Sequence, residues 1–60
     1  MKRLRTGVYT EIYKGRKIWI ERNPYRFWIL YVDGHSQCAY DTKKQAYDSA
    51  VYGIDKGHAF

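Results

Sequence analysis

The sequence predicts an α+β fold: an antiparallel sheet of three to four strands with one C-terminal helix packed on one face. Three observations carry that expectation. Apolar and polar residues alternate with period two through Val8 to Tyr13 and Arg16 to Arg22. Lys14-Gly15 and Asp33-Gly34 interrupt the runs as short turns, and Asp-Gly suits a type I′ hairpin because it tolerates φ > 0 at both central positions. Ala46, Ala50 and Ile54 then recur at helical spacing behind a Thr-x-x-Gln cap.

The chain has 60 residues, enough for one domain spanning 1–60, with 1–6 as a basic N-terminal arm and 57–60 as a short tail. At that size folding buries roughly 60% of the surface the unfolded chain exposes, so stability is marginal and each large side chain counts. A single cysteine, Cys38, excludes an internal disulfide. Packing or self-association must supply the rest.

The first strand is expected at about 8–13, with Val8, Thr10 and Ile12 on one side and Tyr9, Glu11 and Tyr13 on the other. Lys14-Gly15 turns the chain into a second strand at about 16–22, where Ile18 and Ile20 share a face and Lys17, Trp19 and Glu21 share the opposite one. Asn23-Pro24 ends that strand, because proline fixes its φ, lacks an N–H and restricts its predecessor. The third strand, at about 25–32, is the densest apolar and aromatic run and forms the centre of the sheet. It is apolar on both faces, as a strand covered on both sides would be. A fourth, weakly apolar edge strand follows Asp33-Gly34 at about 36–40.

Thr42-Lys43-Lys44-Gln45 begins the helix, expected at about 43–56, with Gly57 as its C′ residue and Gly53 as an earlier alternative end. The expected seam is Ala46, Ala50 and Ile54, with Tyr47 and Val51 beside it. His58-Ala59-Phe60 is the tail, with Phe60 placed to fold back on the core. One helix covers one face of a sheet, so the other face is the candidate working surface. On it the sequence places Lys17, Trp19 and Glu21 with Tyr9, Glu11 and Tyr13, or the reverse set if the register moves by one residue.

Eleven Lys and Arg against six acids give a net charge of +5, and two Trp, seven Tyr and two Phe make the chain unusually aromatic. Cations neutralise phosphates while aromatic and guanidinium planes stack on bases, so this mixture on a sheet suits nucleic acid. It equally suits solubility and cross-strand pairing within a small sheet. Lys43 and Lys44 stand in the first helical turn, where the macrodipole disfavours cations, which suits a tolerated solvated pair or residues facing an anionic partner. Lys2, Arg3 and Arg5 of the arm are placed to track a phosphate backbone or to fray.

No catalytic constellation is found, and no enzyme activity, cofactor or small-molecule substrate is expected. His35, Cys38 and His58, with Asp33 or Asp41, do not have the spacing of a structural zinc site, so no metal is expected. No apolar run reaches the ~18 residues of a membrane span. Met1-Lys2-Arg3-Leu4-Arg5 is not followed by the apolar segment of a signal peptide, so a cytoplasmic, intracellular setting is expected.

Gly7-Val8-Tyr9, a Trp-bearing central strand, and Tyr40-Asp41-Thr42 leading into Ala46-Tyr47 and Ala50 resemble the AP2-type DNA-binding domain and the three-stranded N-terminal domains of some phage and transposon integrases. The likeness runs from about Gly7 to Lys56. Lys43-Lys44 replaces the acidic, alanine-rich beginning of that family's helix, and Tyr25-Arg26-Phe27-Trp28 only approximates its Gly-x-Trp. The resemblance implies a non-enzymatic module whose sheet faces the major groove of duplex DNA, with Arg16, Lys17, Trp19, Arg22 and Arg26 at contact positions. Lys43 and Lys44 would add phosphate contacts. The alternative is a protein-interaction module, a small phage-type regulator or inhibitor of a host protein, or a homodimer joined through the aromatic sheet face.

Overall fold

The computed structural model describes residues 2–57. Met1 and the tail residues His58, Ala59 and Phe60 lie outside the described residues, so the expectations for Phe60 and His58 do too. Five strands and one helix follow in order: β1 (Lys2–Arg5), β2 (Val8–Tyr13), β3 (Arg16–Arg22), β4 (Trp28–Val32), β5 (His35–Tyr40) and α1 (Lys43–Asp55). The strands form one antiparallel meander in sequence order.

Five strands replace the three to four expected, because the basic arm is itself a strand. Gly7, at φ +79°, lets the chain double back, and Lys2 then pairs with Thr10, Arg3 with Tyr9 and, past a bulge, Arg5 with Val8. The β2–β3 and β4–β5 hairpins close on two-residue turns with positive φ at both positions, Lys14 (50°) with Gly15 (78°) and Asp33 (52°) with Gly34 (84°). Asp33 locks the second turn: its carboxylate accepts from the Lys17 backbone N–H at 2.9 Å and from Arg16 Nε at 2.5 Å.

The central strand is shorter than expected, because residues 23–27 form a loop. Asn23 Oδ1 accepts from the backbone N–H groups of Tyr25 and Phe27, each at 2.9 Å, and Arg26 takes φ +70°. These local bonds satisfy the backbone that a strand would have paired, which is how asparagine competes with a sheet. Tyr25 and Phe27 consequently stand 79% and 44% exposed.

Below the sheet lies α1. Thr42, extended at φ −132°, accepts from the Gln45 N–H at 3.1 Å and caps the helix as its sequence anticipates. Lys56 ends it, and Gly57 follows at φ +73°, so Gly53 stays inside the helix. Ala46, Ala50 and Gly53 are the buried seam, with Tyr47, Val51 and Ile54 half-buried beside it. Facing them are Ile18, Ile20, Leu30 and Val32, all at 1% exposure or less. Burial of side chains of this kind contributes about 1.5–3 kcal/mol each. Three phenols join helix and sheet at their margins: Tyr13 Oη donates to Asp55 at 3.0 Å, Tyr40 and Ser49 share a 2.7 Å bond, and Tyr47 donates to Glu11.

Ala50→Leu should overpack the seam and cost about 1–3 kcal/mol, read as a lower urea midpoint at an unchanged slope. The charged margins set the pH limits of stability. The Asp55 carboxyl is held below its usual range, first by the bond from Lys14 and then by that from Tyr13. Asp33 is held low first by the Lys17 N–H and then by Arg16. A depressed carboxylate stabilises the fold above its unfolded value, near ~3.9, and loses that contribution as pH falls through the lower folded value. The thermal midpoint should therefore drop below about pH 4, and Asp55→Asn should flatten the drop. Tyr47 is pushed up to about 12 by its bond to Glu11 and then by burial. Its stabilisation is complete below the unfolded value near ~10 and lost as pH rises through the folded one. Tyr47→Phe should remove the highest phenolate step in an ultraviolet titration.

Candidate functional site

Directly paired residues of antiparallel strands project from the same face, so the register assigns every strand residue to a side. Tyr13 pairs with Arg16, Glu11 with Ile18 and Tyr9 with Ile20, which places Tyr9, Glu11 and Tyr13 beneath the sheet with the helix. The expected partition is thereby corrected. Lys17, Trp19 and Glu21 share the open face with Val8, Thr10 and Ile12, because the two-residue turn at Lys14-Gly15 fixes the register. Ile29 and Tyr31 of β4 also face outward, while Trp28, Leu30 and Val32 meet the helix side.

The open face consists of ordered rows across the strands. One runs Lys2, Thr10, Trp19, Tyr31, Ser36 from β1 to β5. A second runs Arg5, Val8, Glu21, Ile29, Ala39, and the pair Ile12 and Lys17 begins a third. The aromatic pair therefore occupies the middle of the sheet, with Lys2 and Arg5 at one edge and Lys17 beside it. Val8 is buried at 3% exposure, whereas Ile12 is 67% exposed.

Trp19 is held by two neighbours on its own strand. Its indole N–H donates to Glu21 Oε1 at 3.3 Å, and Lys17 Nζ lies 5.4 Å from the ring centroid. Arg5 Nη2 reaches the same Glu21 oxygen at 3.9 Å, an exposed contact worth little. Lys17, Trp19, Tyr31 and Gly34 line an open cavity of about 240 Å³. Among the described residues the face thus carries Lys2, Arg5 and Lys17 against one acid, Glu21, which already has two partners.

The seven residues proposed from sequence do not converge. Lys17 and Trp19 lie on the open face. Arg16 and Arg22 fall on the helix side of the sheet, Arg16 bound to Asp33 and Arg22 with its guanidinium 6.0 Å from the Trp28 ring. Arg26 belongs to the loop before β4. Lys44 pairs with Asp48 one helical turn on, at 2.7 Å.

Lys43 is the informative case, because its Nζ stands 3.9 Å from the centroid of Tyr9, which in turn meets Trp28 at 6.0 Å. A cation–π contact supplies about 0.5–1 kcal/mol at an exposed site and more when desolvated. That matches the ~0.3–1 kcal/mol a first-turn cation costs against the macrodipole. An intramolecular ring therefore accounts for the lysine that looked misplaced in the sequence.

Tyr31 was absent from the sequence-derived set, and Lys2 and Arg5, expected on a basic arm that tracks phosphate or frays, lie on β1 instead. The turn signal Thr6-Gly7 was the available clue to β1, whereas the pairing of Tyr31 with Trp19 belongs to the β3–β4 register, which no two-residue turn announces. Among the described residues no three His, Cys, Asp or Glu side chains gather to hold a metal, and Cys38 is exposed on β5. Among the described residues no helix is long and apolar enough to cross a membrane. Comparison of the chain with protein-family models, with curated proteins and with solved structures finds no match.

Proposed function

We propose that the protein is a small non-enzymatic nucleic-acid-binding module that works through the open face of its sheet. One observation carries this reading: the row Lys2, Thr10, Trp19, Tyr31, Ser36, with Arg5 and Lys17 on either side of it. Aromatic rings in the middle supply stacking surface that tolerates any base, and cations around them neutralise the backbone. The charge is complementary to phosphate, since the face carries three cations and one acid. Arg16, Lys43 and Lys44 contribute to the overall positive field, but each already has a partner within the chain.

Three phosphate contacts predict a logarithmic salt slope of about −2 to −3. Replacing Lys2, Arg5 or Lys17 by Ala should weaken binding to any sequence and reduce the slope by about 1. Arg22→Ala, on the covered side, should leave the slope unchanged. Absence of binding to DNA in a fluorescence titration at low salt would refute the reading.

A protein-binding or homodimeric use of the same face is favoured by one feature, the 67% exposure of Ile12. Light scattering separates the two readings. A nucleic-acid module stays monomeric as concentration rises, whereas a dimer through this face doubles in mass and loses that association on Ile12→Lys.

A further inference from the structure

The cavity on the open face is too small for a whole ligand and well placed for part of one. Its volume of about 240 Å³ lies below the ~300–1,000 Å³ of sites that enclose a complete small molecule. Its lining is chemically specific. Trp19 and Tyr31 are direct cross-strand partners, so their Cβ atoms stand about 4.5–5.5 Å apart and the two rings share one patch. The indole N–H of Trp19 donates to Glu21, and the Lys17 ammonium lies 5.4 Å from the centroid of the same ring. Gly34 makes the rim, and a Cβ built there would meet nothing within 4 Å, so that side is open. Among the described residues the Lys17 ammonium has no carboxylate partner.

We infer that the cavity between Lys17, Trp19, Tyr31 and Gly34 receives one unpaired nucleobase, so that the nucleic acid bound by this face is single-stranded. The inference rests on the nucleic-acid reading and narrows it. Tyr31 and Trp19 provide the stacking surface, and Lys17 meets the phosphate next to the seated base. Three strand spacings, about 14 Å, separate Tyr31 from Lys2, so a strand leaving the cavity crosses Trp19 and Thr10 before it meets the cations of β1.

The width of the sheet argues in the same direction. Five strands span about 19 Å between their outer axes, whereas the major groove is about 12 Å wide and admits a helix or a two-stranded ribbon. A three-stranded sheet with a frayed arm fits such a groove better than this five-stranded one. A single strand has no groove to enter and leaves its bases free to stack.

The test titrates the full chain with a ten-nucleotide single-stranded DNA of mixed sequence and with the same sequence as duplex. The single strand should bind at least about tenfold more tightly and quench tryptophan fluorescence, with the quench lost in Trp19→Phe. Tyr31→Leu keeps an apolar side chain at the position but removes the ring, and should weaken single-strand binding about 5- to 150-fold, the range measured for loss of one stacked base. Tyr31→Phe should retain it, and circular dichroism melting confirms that each variant is folded. Single-strand binding that is unquenched and indifferent to Tyr31→Leu, or tighter binding of the duplex, overturns the base site while the nucleic-acid reading stands. No binding of either DNA overturns both, as does a mass doubling through this face that excludes DNA.

Discussion

The close approach of α1 to the sheet is the constraint from which the rest follows. Ala46, Ala50 and Gly53 present almost no side chain, and this allows the helix to lie on Ile18, Ile20, Leu30 and Val32 and remove all four from water. Once β3 and β4 commit those residues to the helix, parity leaves no freedom. Trp19 and Tyr31 must project from the other side, together with Lys17 and Ile29. The open face is thus composed by the packing beneath it. A larger residue in the helical seam acts on that face only by loosening the sheet.

The aromatic residues divide along the same plane. Beneath the sheet, Tyr13, Tyr40 and Tyr47 keep their rings against the core and spend their hydroxyls on Asp55, Ser49 and Glu11. Tyr9 and Trp28 meet at a tilt of 50°, with Lys43 against the first ring and Arg22 against the second. Much of the aromatic content that suggested a binding protein therefore has a structural use. Many of the basic residues do as well, Arg16 in the Asp33 turn and Lys14 against Asp55. Among the described residues of the open face, what is left over for a partner is small and concentrated: two rings and three cations.

Local signals in the sequence were legible and non-local ones were not. Thr42 announces the helix because its cap bond spans three residues, and Asp33-Gly34 announces a hairpin because the turn needs only its own φ values. Ala46 and Ala50 mark the seam by size alone. The side of the sheet on which β2 residues fall is different in kind. Hydrophobicity assigns Val8 and Ile12 inward, but the two-residue turn pairs Tyr13 with Arg16, and the backbone register prevails over that preference. β1 escaped notice because Lys2-Arg3-Leu4-Arg5 has no alternation to detect; its pairing is read only from the glycine that turns it back. Residues 25–27 were missed for the opposite reason. Their apolar character imitates a strand, while Asn23 had already taken their backbone N–H groups.

In so small a domain the working face cannot be separated from the stabilising one. Val8 is buried although it points away from the helix, and in its row it stands between Arg5 and Glu21. β1 therefore does two things at once: it covers the edge of β2 and it carries Lys2 and Arg5 onto the open face. Trp19 and Tyr31 have the same double character, since a cross-strand aromatic pair contributes about 0.2–1 kcal/mol to a sheet before any ligand arrives. A ligand that bridges β1, β3 and β4 adds its binding free energy to the folded state alone. Substitutions on this face must accordingly be read against stability as well as affinity, and the conservative changes at Tyr31 and Trp19 are the ones that separate the two.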